Sequence, residues 1–94
     1  MFRDRYHPKV KKDLKKIDKI VQKDIKEIHI PAILHNSYIG QQLTGNLAGI
    51  YSYHFKKGRT DYRICYIVNE QESTVYVLMI GTRENFYRDL IRRL

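Results

Sequence analysis

The sequence predicts an α+β fold: a small single domain over residues 1–94 with the order β-α-α-β-β-β(-α). Two N-terminal helices are expected to pack on one face of a twisted, mainly antiparallel sheet. Three observations carry that expectation. Apolar residues recur at helical spacing through a lysine-rich first third, and three strand-like segments separated by polar turns fill the second half. No repeat, low-complexity tract or Pro/Gly/Ser linker divides the chain. A chain of 94 residues gives one modest core and no room for a second.

Phe2, Asp4 and Tyr6 alternate with Arg3 and Arg5, which reads as a short opening strand. Pro8 stands where a helix can begin, because the N–H it lacks would be unpaired there anyway. Val10, Leu14, Ile17, Val21, Ile25 and Ile28 follow at intervals of four, three, four, four and three. They form one apolar stripe, with eight lysines from Lys9 to Lys26 mostly off it. A single long helix satisfies that spacing. Asp18 as an N-cap after a tight break near Ile17 satisfies it too, and the two-helix hairpin is the preferred reading. Pro31 is expected to end or kink the second helix.

Residues 32–49 read as a loop with a short helical piece: Asn36-Ser37, Gly40, Gly45-Asn46 and Gly49 are turn-prone, while Ile39, Leu43 and Leu47 can pack. Strands are expected at Ile50–Phe55, Tyr62–Val68 and Thr74–Ile80, joined by turns at Lys56–Asp61 and Asn69–Ser73. The third is the most apolar and so the central one. Glu84–Leu94 closes the chain as a short helix with Phe86, Leu90 and Ile91 turned inward.

Eighteen Lys and Arg against ten Asp and Glu leave a net charge of +8 and a pI near 9.7. A field of that sign favours nucleic acid, an anionic membrane or an acidic protein as partner. No apolar run reaches the ~20 residues that cross a bilayer, and Met1–Tyr6 has no apolar stretch of the secretory kind, so the expectation is no membrane and a cytoplasmic location. Cys65, alone in the chain, can form no internal disulfide and reads as a small buried hydrophobe. His7, His29 and His35 stand at no ligand spacing, so neither metal nor other cofactor is expected.

Helices on one face leave the other face of the sheet for solvent and a ligand, and alternation along the strands sorts the side chains. Arg63, Cys65 and Ile67 share one side of their strand, opposite Tyr62, Ile64, Tyr66 and Val68; Ser52 and His54 are the more polar set of theirs. Just past the last strand, Arg83 and Tyr87 lie four residues apart. His54, Arg63, Arg83 and Tyr87 are therefore expected to converge on one concavity. An arginine can grip a phosphate through two parallel hydrogen bonds, and a phenol can stack on a base or exchange a proton. In a small basic chain these residues suit the handling of RNA. Lys56, Lys57 and Arg59 on the hairpin tip, and Arg88 beside Tyr87, are placed to hold flanking phosphates.

Three blocks are similar in order and spacing to the motifs of RelE-like toxins: Leu47–Phe55, Asp61–Tyr66 and Ile80–Tyr87; Lys12–Asp18 also resembles the family's first helix and the start of its second. The resemblance spans nearly the whole chain. It implies the toxin of a type II toxin–antitoxin pair that cuts messenger RNA on the ribosome without a metal, by attack of the 2′-hydroxyl on the adjacent phosphate. It also implies a cognate antitoxin as partner, besides ribosome and mRNA; the basic surface calls for an acidic one, and the free toxin is expected to be a monomer. Arg63, Arg83 and Tyr87 match the family's arginine, arginine and tyrosine. The chain departs from the pattern at Ser52 and His54, where RelE has lysines, and at Thr82, where relatives often have histidine.

The residues fit that chemistry. Arg63 and Arg83 can neutralise charge on the non-bridging oxygens. His54, with an ordinary pKa near ~6.5, suits base work near neutrality, whereas Tyr87, near ~10, would need cationic neighbours for it. Which of the two takes the proton stays open. So do plainer readings: Arg63 paired with Asp61 on the surface, Arg83 bonding a helix end, Tyr87 packed, and the helical lysines as a solvated face. Two other functions fit the same fold, a ParE-like poison of DNA gyrase and a basic RNA- or ribosome-binding module with no catalysis.

Overall fold

The computed structural model describes residues 1–94. An edge strand β1 (Arg3–Tyr6) leads into α1 (Val10–Lys15) and α2 (Lys19–Asp24). The hairpin reading holds for a local reason. The Asp18 side chain accepts a hydrogen bond from the Ile20 N–H, and Gln22 reaches back across the break, donating to the Leu14 carbonyl near the end of α1 at 2.7 Å and to the Ile17 carbonyl just past it at 2.8 Å. Both ends at the break are thus capped.

Pro31 does not end the second helix. The chain widens into one π turn at Ile25–His29 and continues as α3 (Ile30–His35). A proline ring clashes with the carbonyl four residues back, and a widened turn accommodates this. The extra residue also rotates the apolar stripe: after Ile25 the buried positions are Ile30 and Ile33, while Ile28 is 54 % exposed.

The sheet has five strands in the order β1-β5-β4-β3-β2. β2 (Gln41–Gln42), which sequence patterning missed, is two residues on the edge of β3 (Tyr51–Lys57). Just before it, Gly40 passes over Tyr66, donating its N–H to the phenol oxygen at 3.0 Å. A Cβ there would sit 2.7 Å from that oxygen, so only glycine fits. β3 and β4 (Thr60–Asn69) form a hairpin whose two-residue loop has Gly58 at φ +62°, as a tight hairpin with glycine first requires. β5 (Thr74–Thr82) runs antiparallel to β4 and parallel to β1; it is an inner strand, but the central one is β4 and not β5 as its apolar run suggests, because the short β2 adds a fifth strand beyond β3.

Two cores flank the sheet. Val10, Ile17, Val21, Ile25, Ile30 and Ile33 of the helices pack on Tyr62, Ile64, Tyr66, Val75, Val77 and Ile80. The second face is not left open, contrary to expectation. α4 (Phe86–Arg93) lies across part of it and buries Phe86 and Leu90 against Ile50, Cys65, Leu78 and Met79. A bulge in the β4–β5 register leaves Leu78 opposite no residue, so Leu78 and Met79 both face this second core. Ile91, expected inward, is 50 % exposed. The inward stripe of α4 is Phe86, Leu90 and Arg93, and the guanidinium of Arg93 forms a two-pronged pair with Asp13 of α1. No helix is long and apolar enough to cross a membrane.

Candidate functional site

β3 and β4 present a ladder of polar pairs on the face that α4 partly covers: Ser52 opposite Cys65, His54 opposite Arg63, and Lys56 opposite Asp61. Past the end of β5 the chain turns through Asn85 in the left-handed conformation, φ +57°, which asparagine tolerates. That turn sends α4 back over the sheet, and burial of Phe86 beside it seats Tyr87 against the ladder.

The result is a closed triangle of proton-exchanging groups. The Ser52 hydroxyl, 1 % exposed, lies 3.1 Å from the Tyr87 phenol oxygen and 3.0 Å from His54 Nε2; the phenol oxygen is 3.4 Å from the same nitrogen. Arg63 forms the wall. Its guanidinium sits 5.1 Å from the centre of the Tyr87 ring, a cation–π distance, and donates to the Arg83 carbonyl at 3.5 Å. Its Nε is buried with no partner, so the group is held with donor capacity unused.

Burial and the neighbouring Arg63 charge lower the His54 pKa below its ordinary value, against a smaller opposing pull from Asp61. The imidazole is therefore neutral at pH 7, with a lone pair on one ring nitrogen. Cys65, beneath Ser52, is fully buried, and burial pushes its thiol up to about 11; it is a packed thiol and not a nucleophile.

Of the four residues expected to converge, His54, Arg63 and Tyr87 do. Arg83 contributes only its carbonyl. Its side chain, 71 % exposed, turns to Asp61 at 3.7 Å. Lys56 reaches the same carboxylate at 3.9 Å. Arg59, at the hairpin tip, shares a shallow depression with Arg83, Asp61 and Glu84. Lys57 is not on this face: strand alternation sends it to the helical side, where it pairs with Asp24 at 2.9 Å. Arg88 is exposed and pairs with its neighbour Asp89. The residue the candidate set omitted is Ser52. Its position two residues before His54 was the available signal, but its burial depends on α4. No three His, Cys, Asp or Glu side chains gather as a metal site would need.

Residues 5–91 match the model of a family described as the ParE-like toxin of type II bacterial toxin–antitoxin systems. No curated protein sequence matches. Among solved structures the chain is similar to a chain of the RelBE2 toxin–antitoxin complex from Mycobacterium tuberculosis, at 24% identity and TM-score 0.75 over 87% of this chain and 98% of that one. It is also similar to a chain of the intact Escherichia coli RelBE complex, at 18% identity and TM-score 0.72 over 89% and 99%. A mutant E. coli RelE toxin in the free state gives 18% identity and TM-score 0.75 over 99% and 97%. At these identities the structural likeness establishes a shared fold.

Proposed function

The chain belongs to the ParE-like toxin family of type II bacterial toxin–antitoxin systems, and from that premise we propose that it is a metal-independent endoribonuclease acting on messenger RNA at the ribosome. The observation that carries this reading is the triangle of Ser52, His54 and Tyr87 beneath the Arg63 guanidinium.

With a ribose 2′-hydroxyl beside His54 and the adjacent phosphate against Arg63, every group needed for transesterification is at hand. The 2′-oxygen gives its proton to neutral His54 Nε2 as the 2′-O–P bond forms. Negative charge on the non-bridging oxygens is met by the Arg63 guanidinium. The P–O5′ bond breaks, and the leaving 5′-oxygen takes the Tyr87 proton. The products are a 2′,3′-cyclic phosphate and a free 5′-hydroxyl. Ser52, which can accept and donate at once, then passes the proton from His54 back to Tyr87. Lys56, Arg59 and Arg83 hold flanking phosphates.

A cognate antitoxin accompanies this role: the M. tuberculosis and E. coli relatives are seen in toxin–antitoxin complexes, and the +8 charge favours an acidic partner. The free toxin is a cytoplasmic monomer in this reading. The test is a translation reaction with purified protein, mapping 5′ ends on a defined message with and without ribosomes. Ribosome-dependent cuts with cyclic-phosphate ends are expected. An intact message with translation still running overturns the proposal, and inhibited supercoiling in a parallel gyrase assay would put the chain with the gyrase poisons.

A further inference from the structure

Asp61 is the one carboxylate on the polar ladder, and its surroundings are those of an anion site already occupied. Its carboxylate faces Arg83 at 3.7 Å and Lys56 at 3.9 Å, and it lies two residues from Arg63 on the same side of β4. Its backbone carbonyl accepts the Arg83 N–H at 3.0 Å, which keeps the root of that arginine in place while its side chain lies in solvent. Both contacts are longer than a hydrogen-bonded ion pair, and both cations are about 70 % exposed. Such contacts contribute little and exchange readily.

We propose that Asp61 stands in, on the free protein, for a substrate phosphate: the phosphodiester flanking the scissile one displaces its carboxylate and takes Arg83 and Lys56 from it. This rests on the reading of the face as an RNA site. A phosphodiester carries the same single charge as the carboxylate and presents two oxygens at similar spacing, so the two compete for the same donors. Asp61 is thus a positioning residue. It keeps Arg83 and Lys56 gathered beside the Ser52–His54–Tyr87 triangle when no RNA is bound, and it weakens any anion that fails to displace it. Sequence-independent binding is restrained without loss of the cations that binding needs.

The test is a double-mutant cycle read by fluorescence anisotropy with a short single-stranded RNA, 2′-O-methylated throughout so that it cannot be cut. Asp61→Asn is expected to tighten binding roughly two- to fivefold, the range for releasing an exposed ion pair. In the Arg83→Ala/Lys56→Ala background the same change should gain almost nothing. Asp61→Glu, which restores the carboxylate, should return towards wild-type affinity. Glu72→Gln, which adds the same unit of net charge in the turn at the far end of β4 and β5, is the control for long-range charge. A gain that persists without Arg83 and Lys56 overturns the proposal, as does one no larger than that of Glu72→Gln. Failure of the Asp61→Asn protein to bind the RNA also overturns it. Because the probe is uncuttable, coupling seen with a protein that leaves messages intact would sink the nuclease reading alone. Cleavage without coupling would sink the role of Asp61 alone.

Discussion

Asp13 and Asp61 hold cations in opposite ways. Asp13 binds both prongs of Arg93 at 2.7 Å and accepts the Ile80 N–H at 3.1 Å, while Arg93 also donates to the Leu78 carbonyl at 2.9 Å. The two side chains are only 10 % and 12 % exposed. Asp61 touches its two partners at the limit of an ion pair and is 35 % exposed. The first arrangement joins α1, β5 and α4 into one body and so fixes where Tyr87 stands; the second leaves its cations free to change partner. A dry, multiply bonded pair serves architecture, whereas a wet, long one serves exchange.

The largest effect should come from breaking the dry pair. Arg93→Ala leaves a buried carboxylate without its charge partner, and such a loss costs about 3–5 kcal/mol. For a domain of this size that lowers the melting temperature by on the order of 15 °C or more. Asp61→Asn in the same thermal unfolding experiment should stay within about 0.5 kcal/mol of wild type. Equal losses at the two sites would erase the distinction between them.

Next come changes that leave the body intact and alter only the chemistry. Arg63→Ala should slow cleavage by about 10²–10³-fold, the scale for removing one transition-state donor. Tyr87→Phe should cost about 10²–10⁴-fold, the scale for an acid–base group. Both proteins should unfold near the wild-type temperature. If Tyr87→Phe cuts at full rate, the leaving oxygen takes its proton from elsewhere and the phenol is there only to pack under Arg63.

How much of this could be read from the residues follows the same division. Elements set by neighbours in sequence were legible: Asp18 caps its own helix, Gly58 sits in its own turn, and the apolar run of β5 marks an inner strand. What depended on distant partners was not. Pro31 signalled a disturbance, but whether the helix stops or widens depends on the packing of Ile30 and Ile33 against the sheet. β2 is held by two residues of main-chain pairing, which leaves no side-chain pattern. Arg83 could be placed after β5, yet its choice of Asp61 over the triangle arises from a carboxylate that cross-strand register brings beside it. Lys57 departs from the other hairpin-tip cations because strand alternation divides the tip between two faces, and its partner Asp24 lies on α2. Ser52 looks like any strand serine until α4 closes over it.

The smallest effect tests the exchange pair through its reach onto His54. Ser52 on β3, Arg63 and Asp61 on β4 and Tyr87 on α4 face that imidazole. Burial and Arg63 lower its pKa and Asp61 opposes them. A neutral base works above its own pKa, so kcat/KM should rise with pH through a limb below ~6.5 and be level at neutrality, as far as His54 sets it. Asp61→Asn removes the one charge that raises this pKa, so the limb should move to lower pH. The cleavage rate should then increase in mild acid and stay unchanged by this route at pH 7, where His54 is already neutral in both proteins. A limb that moves upward, or one that Asp61→Asn leaves where it was, would mean that the titrating base is not His54, and Tyr87 would then be the group left to take the 2′-hydroxyl proton.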